Sequence, residues 1–70
     1  MSEVARLKRQ IELECEAMQL ALHGYSVVAS HEFINSKYRS IGAIEDQLAT
    51  IVGKQEAEKI ACETYIHVIG

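Results

Sequence analysis

The 70-residue chain contains no proline and no tryptophan, and has only two cysteines, four glycines, one phenylalanine and three tyrosines. Without proline, no residue forbids a helix outright, so any break falls to glycine. So few aromatic rings exclude an aromatic-lined ligand pocket. Cys15 and Cys62 form no Cys-x-x-Cys pair, which removes the signature of a zinc knuckle or a dithiol redox site. Both stand on or beside apolar stripes, and both are expected to be buried as small hydrophobes. No run approaches the roughly 20 apolar residues that span a bilayer. The start, Met1-Ser2-Glu3-Val4, lacks the basic and apolar regions of a secretory leader, so a cytoplasmic location is expected. Basic residues are also in the minority. Seven Lys and Arg against ten Asp and Glu leave a net charge of −3, which opposes approach to nucleic acid or an anionic membrane.

What the chain does have is helical periodicity, carried by the 49% of residues that are apolar. Val4, Leu7, Ile11, Cys15, Met18 and Leu22 recur at steps of three and four, the spacing of one helix stripe. Ile34, Tyr38, Ile41, Ile44, Leu48 and Ile51 repeat it, with Glu32, Lys37, Arg39, Glu45 and Asp46 filling much of the remaining surface. A third run, Ala57, Ile60, Ala61, Thr64, Tyr65 and Val68, keeps the period. Ile66 and Ile69 widen that face, so its end is expected to pack on two sides. The spacing predicts helices over about 3–23, 31–52 and 55–68 in one domain spanning residues 1–70. The fold class is all-α: a long antiparallel helical hairpin plus a shorter third helix, in a dimeric helical bundle.

Local signals agree with those bounds. Ser2 is placed to cap the first helix, and Glu3 puts negative charge in its first turn, where the helix dipole favours it. Gly24 is positioned to end that helix, with His23 beside it. Ser30 is placed to cap the second helix, flanked by His31. The connection that holds Tyr25, Val27 and Val28 is apolar for a loop and is expected to pack on the bundle or on a second subunit. Gly42 lies inside the second helix at a cost of roughly 1 kcal/mol relative to alanine; it is either tolerated or marks a close helix crossing. Gly53 breaks the chain before the third helix, which must fold sharply back or lie across the second.

Few residues suggest chemistry. Glu12 and Glu16 share a helix face, and Glu63 and His67 share another, a set from which a carboxylate and histidine metal site could be assembled across two helices. Lys8 and Arg9 precede Glu12 by four and three residues, the spacing of ordinary surface pairs, so a solvated face is expected in place of a metal site. No Ser-His-acid, Cys-His or glycine-rich phosphate arrangement is present. No enzymatic activity and no cofactor are expected.

In Leu48-Ala49-Thr50-Ile51-Val52-Gly53, alanine stands four residues before a turn glycine. This segment resembles the core of helix-turn-helix DNA-binding domains, over about a quarter of the chain. The resemblance implies that the third helix would enter the major groove. The chain departs from that pattern at Lys59, six residues after the glycine, where the family has an apolar residue. The helix also carries Glu56, Glu58 and Glu63, which phosphates repel. A nucleic-acid-binding regulator would instead require Arg6, Lys8, Arg9, Lys37 and Arg39 to converge on one face of a dimer.

The first helix is electrostatically bipolar. Arg6, Lys8 and Arg9 precede Glu12, Glu14 and Glu16, so two copies laid antiparallel set each basic end against an acidic middle. Leu13, Ala17 and Leu20 add a second apolar line to the same helix. A chain this small buries only somewhat more than about 60% of its unfolded surface, and dimerisation is the usual remedy. The expectation is a self-associating interaction module. It is a homodimer or higher homo-oligomer, open to a further protein partner, whose interface draws on Leu13, Ala17, Leu20, Tyr25, Val27, Val28 and Gly42. Neither nucleic acid nor a membrane is expected as a partner.

Overall fold

The computed structural model of the protein describes residues 2–23 and 31–70. They form three helices, α1 (Glu3–His23), α2 (His31–Val52) and α3 (Lys54–Ile69), and no strand occurs among the described residues. All three pack on one another. The body measures 38 × 19 × 19 Å. At 1.5 Å per residue, the 22 residues of α2 alone account for roughly 33 Å of that long axis.

The helix ends follow elementary capping chemistry. The Ala5 amide donates to Ser2 Oγ at 3.0 Å and the Arg6 amide to the Ser2 carbonyl at 3.1 Å, which satisfies donors that the first turn leaves without an intrahelical acceptor. At the other junction a single residue serves two helices. Gly53 donates to the Ala49 carbonyl, closing α2, and its own carbonyl accepts from the Ala57 amide, opening α3, both at 3.0 Å. It does so at φ 92°, ψ 160°, a region that only glycine enters without strain. The chain doubles back there: Tyr38 on α2 and Tyr65 on α3 stack with ring centroids 6.3 Å apart.

The core is filled unevenly. Leu7, Ile11, Cys15 and Met18 of α1 and Ile41, Ile44 and Leu48 of α2 supply the volume, whereas α3 contributes Ala57 and Ala61. Small side chains let α3 lie close to the other two helices, so the bulk of α1 and α2 fills the space between the three. Thr64 is also buried; its hydroxyl donates to the Ile60 carbonyl at 2.7 Å. The apolar end of α3 is docked, with Val68 and Ile69 packed on the core and Gln19 Nε2 donating to the Val68 carbonyl at 2.8 Å.

Several expectations are corrected. Cys62 is exposed, because Ala61 takes the core position four residues after Ala57 and the next residue is turned about 100° away. Tyr38 and Ile51 stand on the α2 stripe but are largely exposed, and Val52 is the residue that packs at that end. Ile66 is exposed too, so of the two residues that widen the face of α3 only Ile69 packs on the core. Of the two readings of Gly42, the tolerated glycine is the one that fits, since a β-carbon there would meet no atom of the described residues within 4 Å.

The two glycines therefore respond oppositely to alanine. Gly42→Ala is expected to stabilise by about 0.5–1 kcal/mol, through the conformational entropy of the unfolded chain. Gly53→Ala is expected to cost about 1–3 kcal/mol, because a β-carbon is strained at that backbone conformation. Urea unfolding of the two variants beside the parent protein measures both signs.

Candidate functional site

The outer face of α1 is built from residues that the core leaves over. Leu7, Ile11, Cys15 and Met18 turn inward, and the 100° step per residue then places Leu13 and Leu20 on the opposite side. Leu13 is 49% and Leu20 73% exposed, with the partly buried Ala17 between them. Three apolar residues at steps of four and three thus form a line without a covering element among the described residues. Of the other residues expected at an interface, Tyr25, Val27 and Val28 lie outside the described residues, as do the expected cap residues Gly24 and Ser30. Gly42 sits on α2, away from the core stripe of Ile41, Ile44 and Leu48.

Charge brackets the line. Arg9 reaches Glu12 at 3.1 Å and Glu16 at 3.5 Å, and Arg6 pairs with Glu3. The hydrogen bond to Glu12, then the charge of Glu16, hold the Arg9 guanidinium above its ordinary pKa. These pairs are exposed and contribute little to folding, but they leave the basic and acidic groups of α1 ordered along one surface. The expected contact between Glu12 and the basic residues before it is made by Arg9.

A second pair crosses between helices and was not expected. Lys37 Nζ donates to Glu14 Oε2 at 2.8 Å, with the two side chains only 23% and 25% exposed, and the same ammonium lies 5.4 Å from the centre of the Phe33 ring. A signal for it stands in the sequence. Glu14 falls between Ile11 and Met18, and Lys37 between Ile34 and Ile41, at steps of three and four, so each is a charged residue placed within an apolar stripe.

Glu12, Glu16, Glu63 and His67 border neighbouring depressions between α1 and α3, but no single depression is lined by all four. They line two open depressions of about 350 and 450 Å³: one bounded by Lys8, Glu12, Glu63, Thr64 and His67, the other by Glu12, Glu16, Gln19, Leu20, His67 and Val68. Proximity is not coordination. Among the described residues no three His, Cys, Asp or Glu are grouped so as to hold a metal ion, and Glu12 and Glu16 are already engaged by Arg9.

The two thiols contrast. Cys15 is fully buried, and burial, followed by the charges of Glu14, Glu12 and Glu16, raises its pKa above the ordinary 9.0. A thiol reagent is expected to modify one cysteine per folded chain, Cys62, and both in denaturant. Tryptic mass spectrometry identifies the labelled residue.

Tyr65 is shifted the same way. The hydrogen bond with the Tyr38 hydroxyl at 3.2 Å, then burial, raise its pKa above the ordinary 10.0. Both groups are acids that ionise later in the folded than in the unfolded state. Their contribution to stability is therefore complete below about pH 9, and it is lost as pH rises through the ordinary values and on through the raised ones. The thermal midpoint is expected to fall above pH 9, and to fall less steeply beyond pH 10 in Tyr65→Phe. Thermal melts followed by circular dichroism across pH 8–11 check both.

These features define an all-α helical bundle with an apolar line on one helix that no element covers among the described residues. No protein-family model matches the chain, and comparison with curated proteins and with solved structures finds no match. No described helix is long and apolar enough to cross a membrane.

Proposed function

We propose that this chain is a small non-enzymatic interaction module that self-associates as a homodimer or higher homo-oligomer in the cytoplasm. In it, α1 and α2 form a long antiparallel hairpin over which α3 folds. The observation that carries this reading is the exposure of Leu13 and Leu20 on the face of α1 opposite the core. Single exposed leucines are ordinary on soluble proteins. Two in register on one helix, separated by alanine and flanked by charges of both signs, have the pattern of a helix seam. Tyr25, Val27 and Val28 extend the proposed interface in sequence, and a further protein partner could share it.

The helix-turn-helix reading has less in its favour. Helices of that motif cross at about 90–120° through a turn of three or four residues. Here α2 and α3 share one glycine and are still side by side at Tyr38 and Tyr65. A nucleic acid is not part of the proposal, and neither is a metal.

Light scattering coupled to size exclusion, on tag-free protein with reductant over micromolar concentrations, tests the reading. The mass is expected to rise with concentration from that of one chain, 7.8 kDa, towards at least twice that value. A mass of one chain at every concentration overturns it.

A further inference from the structure

We infer that the occupant of the α1 outer face is a second copy of α1, laid antiparallel about a two-fold axis at Leu13. This inference rests on self-association and adds its orientation and register. Because the core consumes Leu7, Ile11, Cys15 and Met18, the seam falls to Leu13, Ala17 and Leu20, and the charges beside that line decide how two copies meet.

A parallel pair sets Arg6 and Arg9 against the same residues of the partner, and Glu16 against Glu16. Like charges then face each other along the seam, and the helix dipoles are aligned unfavourably. An antiparallel pair removes both conflicts. With Leu13 at the axis, Arg9 stands four residues to one side and Glu16 three to the other. At 1.5 Å per residue, Arg9 of one copy and Glu16 of the other coincide within about 2 Å along the axis. Arg6 and Leu20 are each seven residues from Leu13, so the aliphatic stem of Arg6 covers the partner's Leu20, the most exposed large apolar side chain among the described residues. Ala17 lies opposite Arg9 and leaves room for its methylenes.

Arg9 already pairs with Glu16 of its own chain at 3.5 Å, so dimerisation exchanges an exposed pair for the same pair made across the seam. A contact along one helix lies at the small end of protein interfaces, and weak, concentration-dependent association follows.

Sedimentation equilibrium and disulfide trapping test the register. Arg9→Glu and Glu16→Arg each place like charges at two symmetric positions and are expected to weaken dimerisation about tenfold. Mixing the two variants restores opposite charges at both positions and is expected to restore association; failure of the mixture to associate overturns the charge register. Orientation is read in a Cys62→Ser background, with helix content checked by circular dichroism. Arg6→Cys mixed with Leu20→Cys is expected to give the mixed disulfide in excess over either self-linked product. Self-linked products in its place mean a parallel seam and overturn the inference while leaving self-association standing. A wild-type protein that stays monomeric throughout overturns both.

Discussion

Leu48→Ala is expected to remove a large part of the folding stability and to lower the thermal midpoint by at least about 15 °C. Leu48 has no exposed surface and belongs to the cluster formed with Leu7, Ile11, Cys15, Met18, Ile41, Ile44, Ala57 and Ala61. Truncating a fully buried leucine costs about 2–5 kcal/mol, the lost transfer energy plus the cavity left behind. A chain of this size has a total stability of only about 4–10 kcal/mol. Relaxation is restricted on the α3 side, because Ala57 and Ala61 have no longer rotamers with which to fill the space. The loss should therefore lie in the upper part of the range. At about 4–8 °C per kcal/mol for a small domain, the thermal midpoint should drop by at least 15 °C, measured by circular dichroism at fixed protein concentration. Concentration is held fixed because association of the folded state would itself raise the midpoint. A drop of less than 5 °C would mean that Leu48 is not part of a packed core.

The helices were legible because nothing in the chain interferes with their period. Proline is absent, Ser2 caps α1, and glycine at position 53 separates two uninterrupted apolar stripes. The core residues Leu7, Ile11, Cys15, Met18, Ile41, Ile44 and Leu48 are stripe members in the sequence and buried in the fold. Misassigned positions cluster where a stripe offers two candidates for one place. Three and four residues after Leu48 stand Ile51 and Val52, both apolar, and only the second packs. Four and five residues after Ala57 stand Ala61 and Cys62, and again only one can face inward. Periodicity leaves such neighbours undecided, and the direction from which the third helix approaches decides between them.

The interhelical pair between Glu14 and Lys37 was hidden for a different reason. A charged residue within an apolar stripe is visible in the sequence, but its partner is on another helix, and the pairing depends on how α1 and α2 are aligned. The candidate seam shows the complementary situation. Leu13, Ala17 and Leu20 were readable as a second line, yet whether that line or the first one closes the core is a packing outcome. Two stripes on one helix are equivalent until the remaining helices choose between them. Ala57, Ala61 and Thr64 on α3, with Ile41, Ile44 and Leu48 on α2, surround the first stripe and leave the second outside.

That choice determines the effect expected of Leu13→Lys, a substitution that should separate association from folding. With half of its side chain already in solvent, Leu13 contributes little to the monomer core, and an exposed helix position tolerates lysine at a cost within about 0.5 kcal/mol. In an antiparallel pair centred on this residue the effect is doubled by symmetry. Two leucines leave the seam, and two ammonium groups are brought together beside Arg9. Losing roughly 1 kcal/mol of apolar burial per copy, with the repulsion added, weakens dimerisation by about 30- to 100-fold. At micromolar concentration the variant should run as a single 7.8 kDa chain with its helix content and its urea response as a monomer intact. Retained dimer would place the seam elsewhere, with the exposed Ile66 of α3 as the next position to substitute. Loss of helix content would mean that the outer line of α1 supports the fold itself, and that α1 is covered on both faces in the folded protein.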